Sequence, residues 1–342
     1  MNAPTRSGPG VLDPVRLRAR RFGAAAGVAL LLGLLAAACA HLDPGRDDGW
    51  HPLARSSDSP WIVGRMQRHR IVGEETLLDL TRRYDLGYVE LVAANPGVDP
   101  WLPGVGTEVV LPTAHLVPAS EDVSAETPDR RGLLVNLAEQ RLYAFTAEDE
   151  AATSVASFPI GVSREGFATP LGRTRVVRKR EAPTWYPPAS ARRDDPSLPA
   201  AVQAGPENPL GEFALYLAWP RYLIHGTNEP DGVGRRVSRG CIRLYPEDIS
   251  RLYESTPVDA PVEVIHEPVK IVRTGDEVYL EVHPTLDEMA ELEEAGRLEP
   301  IRPADLRPRI RRVAAEAAAR VDWRLAYRTA AERRGVPVRI TR

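Results

Sequence analysis

Ile224-His225-Gly226-Thr227, followed by Val237-Ser238-Arg239-Gly240-Cys241-Ile242-Arg243, is the stretch on which the reading of this chain turns. His225 ends an apolar run, Tyr222-Leu223-Ile224, and Cys241 follows a glycine sixteen positions later. A free thiol with a pKa near ~8.5 is only slightly ionised at neutral pH, so a nucleophilic cysteine needs a base or a positive neighbourhood. His225 is the one histidine in range of that role. The other six, at 41, 51, 69, 115, 266 and 283, stand outside any such pattern. Folding must bring the two segments side by side, with the connection between them closing back. Gly240 permits a tight backbone there, and the N–H groups of Gly240 and Cys241 are expected to face a developing oxyanion. Arg235, Arg236, Arg239 and Arg243 add positive charge, which is expected to lower the thiol pKa. Arg235 and Arg236 are expected to be exposed loop charges. Arg239 is a candidate for gripping a substrate carboxylate, and Arg243 is expected to be structural or to position the substrate.

Outward from this stretch, strand signals dominate residues 130–266. They include Leu133-Leu134-Val135, Leu142 to Phe145, Thr174 to Val177, Phe213 to Leu217 and Val262 to Ile265. Seven prolines between Ala182 and Pro209 predict a long loop without regular structure, either a binding lid or a surface insertion. Thr76 is a candidate helix cap before Leu77, Leu80 and Tyr84, and a second short helix ends at Asn95-Pro96-Gly97. Val109-Val110-Leu111 then reads as a closing strand. Residues 267–342 read as a hairpin around Thr274-Gly275-Asp276, helices over 286–295 and 304–334, and a last strand over 336–340.

The paired motif resembles the L,D-transpeptidase signature, His-Gly-Thr followed by Ser-[His or Arg]-Gly-Cys-[Ile or Val]-Arg. The resemblance extends through Thr169-Pro170-Leu171-Gly172, Thr184-Trp185-Tyr186-Pro187 and Asn208-Pro209-Leu210-Gly211. It implies a mainly β, sandwich-like catalytic domain over 130–266. It also implies a Cys241 nucleophile with His225 as base, the Gly226 carbonyl orienting the imidazole, and Gly240 beside the nucleophile. Ser238, Arg239, Arg243, Thr227 and Trp185 would then serve substrate binding. Residues 66–115 resemble a LysM module, a small α+β peptidoglycan-binding unit, although Glu74 stands where its glycine is usual. Such a unit would bind glycan or merely pack against the catalytic domain. The remaining residues, 267–342, would form a mixed α/β tail.

The implied reaction joins peptidoglycan peptides. A tetrapeptide donor loses D-alanine to form a thioester, which an amine of a second stem peptide or of an outer-membrane lipoprotein resolves. Water as acceptor would make an L,D-carboxypeptidase, and an inactive relative would be a peptidoglycan-binding lipoprotein. Neither cofactor nor metal is called for, since no Cys/His cluster has zinc spacing.

The first forty residues read as an address. Four arginines between positions 16 and 21 precede an uncharged apolar run from Phe22 to Ala38 and then Cys39. This layout resembles a bacterial lipoprotein signal with Cys39 as the lipidated residue, although Ala36 replaces the usual leucine. Ordinary cleavage after Ala36-x-Ala38 and an uncleaved anchor are the alternatives. All three send the chain out of the cytoplasm, and the first predicts a lipid-anchored periplasmic protein with residues 41–65 as its tether. Composition agrees with an exported globular protein. A net charge of −3 argues against a dedicated nucleic-acid binder, and two cysteines exclude a disulfide-stapled scaffold.

Overall fold

The computed structural model describes residues 61–118, 132–149, 152–301 and 305–342. The export signal, Cys39, most of the tether and the charged segment 121–130 lie outside the described residues.

The first described part holds β1 (Ile62–Gly64), β2 (Gln67–Arg70), α1 (Leu77–Tyr84), α2 (Tyr88–Ala94), β3 (Glu108–Leu111) and β4 (Ala114–Leu116). Thr76 caps α1 through a reciprocal exchange with Asp79, which satisfies two of the N–H groups that a helix start leaves unpaired. Asn95 ends α2 and ties it to the closing strand: its amide donates to the carbonyls of Leu91 (2.9 Å) and Val110 (2.8 Å). β2 and β3 pair antiparallel, and the helices bury Leu77, Leu80, Leu91 and Val92 against them.

The large central part runs β5 (Gly132–Asn136), β6 (Arg141–Asp149), β7 (Ala152–Pro159), β8 (Val162–Ser163), β9 (Gly172–Glu181), α3 (Ala189–Asp194), β10 (Phe213–Leu217), β11 (Leu223–His225), β12 (Arg236–Ser238), β13 (Ile242–Arg243), α4 (Pro246–Ser255) and β14 (Pro261–Ile265). Eight strands follow the order β13-β11-β10-β9-β14-β5-β6-β7, so the domain is mainly β. β9 joins two halves. Its first residues, Gly172 to Arg175, pair with β14, and Val176 to Glu181 pair with β10. One apolar core draws on both halves, with Val135, Leu142 and Phe158 meeting Leu215, Ile224 and Ile242. The strands β11 and β13 are parallel, as are β8 and β12.

The tail holds β15 (Val269–Thr274), β16 (Glu277–Val282), α5 (Leu286–Ala295), α6 (Leu306–Ala314), α7 (Trp323–Glu332) and β17 (Val338–Arg339). Two expectations are corrected here. The 304–334 segment is not one helix: Ala315 takes a positive φ of 47°, and a 3-10 run over Ala315–Arg320 separates α6 from α7. Asp322 then caps α7 by accepting from the Leu325 N–H at 3.1 Å. The proline-rich segment is not free of regular structure either. α3 starts directly after Pro188, where a proline's fixed φ and missing N–H cost a helix nothing.

The parts meet around buried charge. Lys270 is buried in an ion pair with Glu139 and in another with Glu281 at 2.6 Å, and it donates to the Leu116 carbonyl at 2.8 Å. Burial alone would depress its pKa, but the two carboxylates outweigh burial and raise it. Nearby, buried Arg141 donates to Glu90 of α2 at 2.9 Å. His115, Glu139 and Glu281 have the donor types of a metal site, with ligand atoms within 4.8 Å of one another. The Lys270 ammonium already occupies the cation position between the two carboxylates. Removing one member of such a group leaves an uncompensated buried charge. Lys270→Met is therefore expected to cost about 3–5 kcal/mol of stability, read from the urea midpoint. A loss under about 1 kcal/mol would contradict this account of the junction.

Candidate active site

Parallel pairing of β11 with β13 aligns Ile224 with Ile242 and His225 with Arg243. Continuing the register by one residue sets Leu223 beside Cys241. Alternate side chains point to opposite faces of a strand. Ile224 and Ile242 therefore enter the core, while His225, Cys241 and Arg243 share the other face. All three line one cleft of about 930 Å³, together with Trp185, Ser238 and Arg239. The structure thus gathers most of the residues marked in the sequence. Thr227 is an exception: it is buried, accepts a hydrogen bond from the Glu229 N–H at 2.9 Å, and is not part of the lining. Its contribution is to the turn after β11.

His225 is buried, and its Nδ1 donates to the Gly226 carbonyl at 2.6 Å. That bond assigns the proton to Nδ1 and leaves Nε2 free to act as a base. Burial and the neighbouring Arg243 charge push the imidazole pKa down to about 4, against the favourable carbonyls of Gly226 and Leu210. Leu210 is held by Asn208, a fully buried side chain. The Asn208 carbonyl oxygen accepts from the Leu210 N–H at 2.9 Å, while its amide donates to the Pro183 carbonyl at 2.7 Å. The Asn208-Pro209-Leu210-Gly211 segment therefore fixes both the proline-rich insertion and the histidine. Gly211 has φ +66°, and a Cβ there would meet the Thr227 nitrogen at 2.7 Å, so no larger residue fits against β11.

Around Cys241 two expectations change. Gly240 has φ +108°, and a Cβ would press on the Tyr222 ring at 2.9 Å, which explains the glycine. Its N–H, however, donates to Ser238 Oγ at 3.2 Å and is turned inward, away from an oxyanion role. Ser238 Oγ in turn donates to the Cys241 carbonyl, and Thr169 Oγ1 donates to the Gly240 carbonyl at 3.0 Å. The thiol pKa is raised, not lowered. Burial is the larger effect and outweighs the Leu223 N–H and the Arg243 charge. The thiol donates to the Arg221 carbonyl at 3.6 Å. At neutral pH the pair is thus a neutral thiol and a neutral imidazole, rather than a preformed ion pair.

The remaining arginines also divide. Arg235 and Arg236 are not exposed loop charges. The Arg235 guanidinium lies 3.7 Å from the centre of the Tyr88 ring on α2, and Arg236 donates to the Leu286 carbonyl of α5 at 2.6 Å. The connection between β11 and β12 is therefore anchored to both flanking parts of the chain. Gly234 closes the contact: a Cβ there would sit 2.2 Å from the Gly87 Cα, and its carbonyl accepts from the Val89 N–H at 3.1 Å. The side chains of Arg243 and Arg239 line the cleft, and Arg243 Nε and Arg239 Nη1 lie buried behind its surface without a hydrogen-bond partner among the described residues. Unsatisfied guanidinium donors beside a thiol fit an anionic ligand.

The electrostatics set two pH dependences. Alkylation of Cys241 by iodoacetamide is expected to keep rising through pH 8 and 9; a plateau from pH 5 upward would mean a thiolate–imidazolium pair. For stability, the folded imidazole titrates near 4 and the unfolded one near 6.5, so the unfolded chain takes up the proton first as pH falls. The stability held above pH 6.5 is therefore lost progressively toward pH 4. His225→Gln is expected to flatten that part of the melting-temperature profile, and an unchanged slope would contradict the assignment.

Residues 130–264 match the YkuD family, the L,D-transpeptidase catalytic domain. Three Escherichia coli proteins are similar over a longer stretch. The chain is 40% identical over 225 residues to the probable L,D-transpeptidase ErfK/SrfK, spanning 64% of this chain and 69% of that one. For the probable L,D-transpeptidase YbiS the values are 39% over 238 residues, 67% and 74%. For YcfS, also named a probable L,D-transpeptidase, they are 36% over 263 residues, 74% and 78%. With its catalytic domain and most of its length shared with these proteins, the chain belongs to the L,D-transpeptidase family.

Proposed function

We propose that Cys241 is the nucleophile of this L,D-transpeptidase and His225 its base. The observation that carries the reading is the β11–β13 register, which turns both side chains into one cleft. His225 Nε2 takes the thiol proton as sulfur attacks the carbonyl between the L-centre of meso-diaminopimelate and a terminal D-alanine. The Cys241 N–H is the backbone donor for the oxyanion, since that of Gly240 is engaged by Ser238. When the tetrahedral intermediate collapses, the C–N bond breaks. The imidazolium returns its proton to the departing D-alanine amine, and a thioester remains. An acceptor amine then attacks the thioester, loses its proton to His225 and releases the thiol. The acceptor is a second stem peptide or the lysine of an outer-membrane lipoprotein. Arg243 and Arg239 hold substrate carboxylates, and Trp185 flanks the peptide.

Within the first described part, residues 66–115 act as a LysM-like glycan-binding unit. Its β2-α1-α2-β3 order supports this, as do the exposed apolar side chains Val72, Trp101, Leu102 and Val105. Residues 1–40 act as an export signal of the lipoprotein type with Cys39 lipidated, which would hold the enzyme on a membrane in the periplasm. No helix among the described residues is long and apolar enough to cross a membrane.

Muropeptide analysis of the purified protein incubated with disaccharide-tetrapeptide tests the mechanism. D-alanine release and cross-linked product are expected. Cys241→Ala should abolish both, and His225→Ala should reduce the rate about 10²- to 10⁴-fold. Turnover by the Cys241 variant would defeat the reading. A carbapenem that leaves no mass adduct on Cys241 would favour a non-catalytic wall-binding protein.

A further inference from the structure

The proline-rich insertion reaches back to the cleft through one carboxylate. Asp194, the last residue of α3, accepts from Arg164 Nη2 at 2.8 Å and from Arg239 Nη2 at the same oxygen, Oδ2. The two guanidinium groups also share an apolar support, lying 4.9 and 5.0 Å from the centre of the Phe167 ring. Two cations thus converge on one anion. Arg239 Nη1 is left buried and unpartnered, so Asp194 fills the fork only partly. Arg164, Phe167, Asp194 and Arg239 all line the cleft that contains Cys241, and Arg239 stands two residues before the thiol. Asp194 itself is exposed, and exposed ion pairs hold weakly. The base of the insertion is fastened independently of that pair by buried Asn208, which leaves α3 as the part that the pair holds.

We propose that Arg164 and Arg239 form a carboxylate subsite, that Asp194 occupies it in the free enzyme, and that a carboxylate of the donor peptide displaces Asp194 on binding. The proposal rests on the transpeptidase reading for the identity of the donor, but the subsite itself does not. Asp194 is then a built-in competitor. It keeps two cations compensated while the cleft is empty, and its release frees α3 to move as substrate enters. Once α3 has moved and opened the buried Nη1, a peptide carboxylate that engages Nη1 and Nη2 of Arg239 together would gain the paired geometry that Asp194 lacks. A donor whose corresponding carboxyl is amidated would compete poorly.

Two alkylating agents of similar size test the subsite without requiring turnover. Iodoacetate carries the carboxylate and iodoacetamide does not; with each, an S–C bond forms at Cys241 as iodide leaves. The ratio of their rates is read on the Cys241 peptide by mass spectrometry of the full chain. Asp194→Asn is expected to raise the iodoacetate-to-iodoacetamide ratio by about threefold or more, and Arg239→Gln or Arg164→Gln to lower it by a similar factor. Asp195→Asn makes the same charge change one residue away in the same cleft, where the carboxylate bonds to Ser197 in its own turn and to neither arginine, and it should raise the ratio by less than half as much as Asp194→Asn. Should Arg239→Gln fail to fold, Arg239→Lys retains the charge without the fork and should still lower the ratio.

With tetrapeptide donor, Asp194→Asn should lower KM more than it changes kcat, and amidation of the donor should erase that gain. An unchanged ratio in Asp194→Asn, or an equal rise in Asp195→Asn, would overturn the proposal. Altered ratios without any peptide turnover would leave the subsite standing and defeat the transpeptidase mechanism instead. Normal turnover with unaltered ratios would do the reverse.

Discussion

The parallel pairing of two very short strands, Leu223–His225 and Ile242–Arg243, is the constraint on which the site depends. Parallel neighbours cannot be joined by a tight turn; they need a crossover of a dozen residues or so. The separation between His225 and Cys241 is that crossover. Because the register sets 224 opposite 242 and 225 opposite 243, even-numbered residues of both strands face one way and odd-numbered ones the other. Burial of Ile224 and Ile242 therefore presents the imidazole and the thiol together to the cleft. A one-residue slip of β13 against β11 would turn the thiol toward the core while the imidazole stayed in the cleft, and so part the two groups. The apolar pair beneath thus sets the chemistry above.

A strand pair of three and two residues has few ladder bonds of its own, so the crossover is tied down elsewhere. Gly161 exchanges two backbone hydrogen bonds with Arg243, and the Arg164 N–H donates to the Ser238 carbonyl. Arg235 and Arg236 reach to α2 and α5, and Gly234 packs backbone to backbone against Gly87. The N-terminal module and the C-terminal helices thus act as walls for the loop that carries Ser238, Arg239 and Gly240. The buried charge around Lys270 fastens the same three parts, and its Glu90 accepts from the N–H of Gly87, on which Gly234 packs. In this arrangement the small module is a structural neighbour of the active site as well as a candidate glycan binder.

The sequence made the shared placement of His225 and Cys241 and most of the candidate cleft readable, because motif residues are local and strand parity follows from alternation. Thr76 as a cap, the β15–β16 hairpin and the five main strand segments were readable for the same reason. Effects that need long-range burial were not. No spacing rule shows that Cys241 loses more by desolvation than it gains from Arg243, or that the Gly240 N–H bends back to Ser238. Nor does it show that Arg235 lies over a tyrosine about 150 positions away. The break between α6 and α7 is hidden because alanine-rich sequence favours helix locally and carries no sign of the positive φ at Ala315. Asp194 also carried no signal. Its meaning comes only from the two arginines that meet it in space.

The central claim is that acyl transfer passes through the Cys241 sulfur, with the proton exchanged at the imbedded imidazole beside it. Peptide mapping of the protein acid-quenched during turnover of a tetrapeptide donor tests it most directly. The account predicts a thioester on the peptide containing Cys241, with the mass of the donor less D-alanine and cleavable by hydroxylamine. An acyl group found on any other residue, or product formed at full rate with Cys241 never acylated, would contradict it.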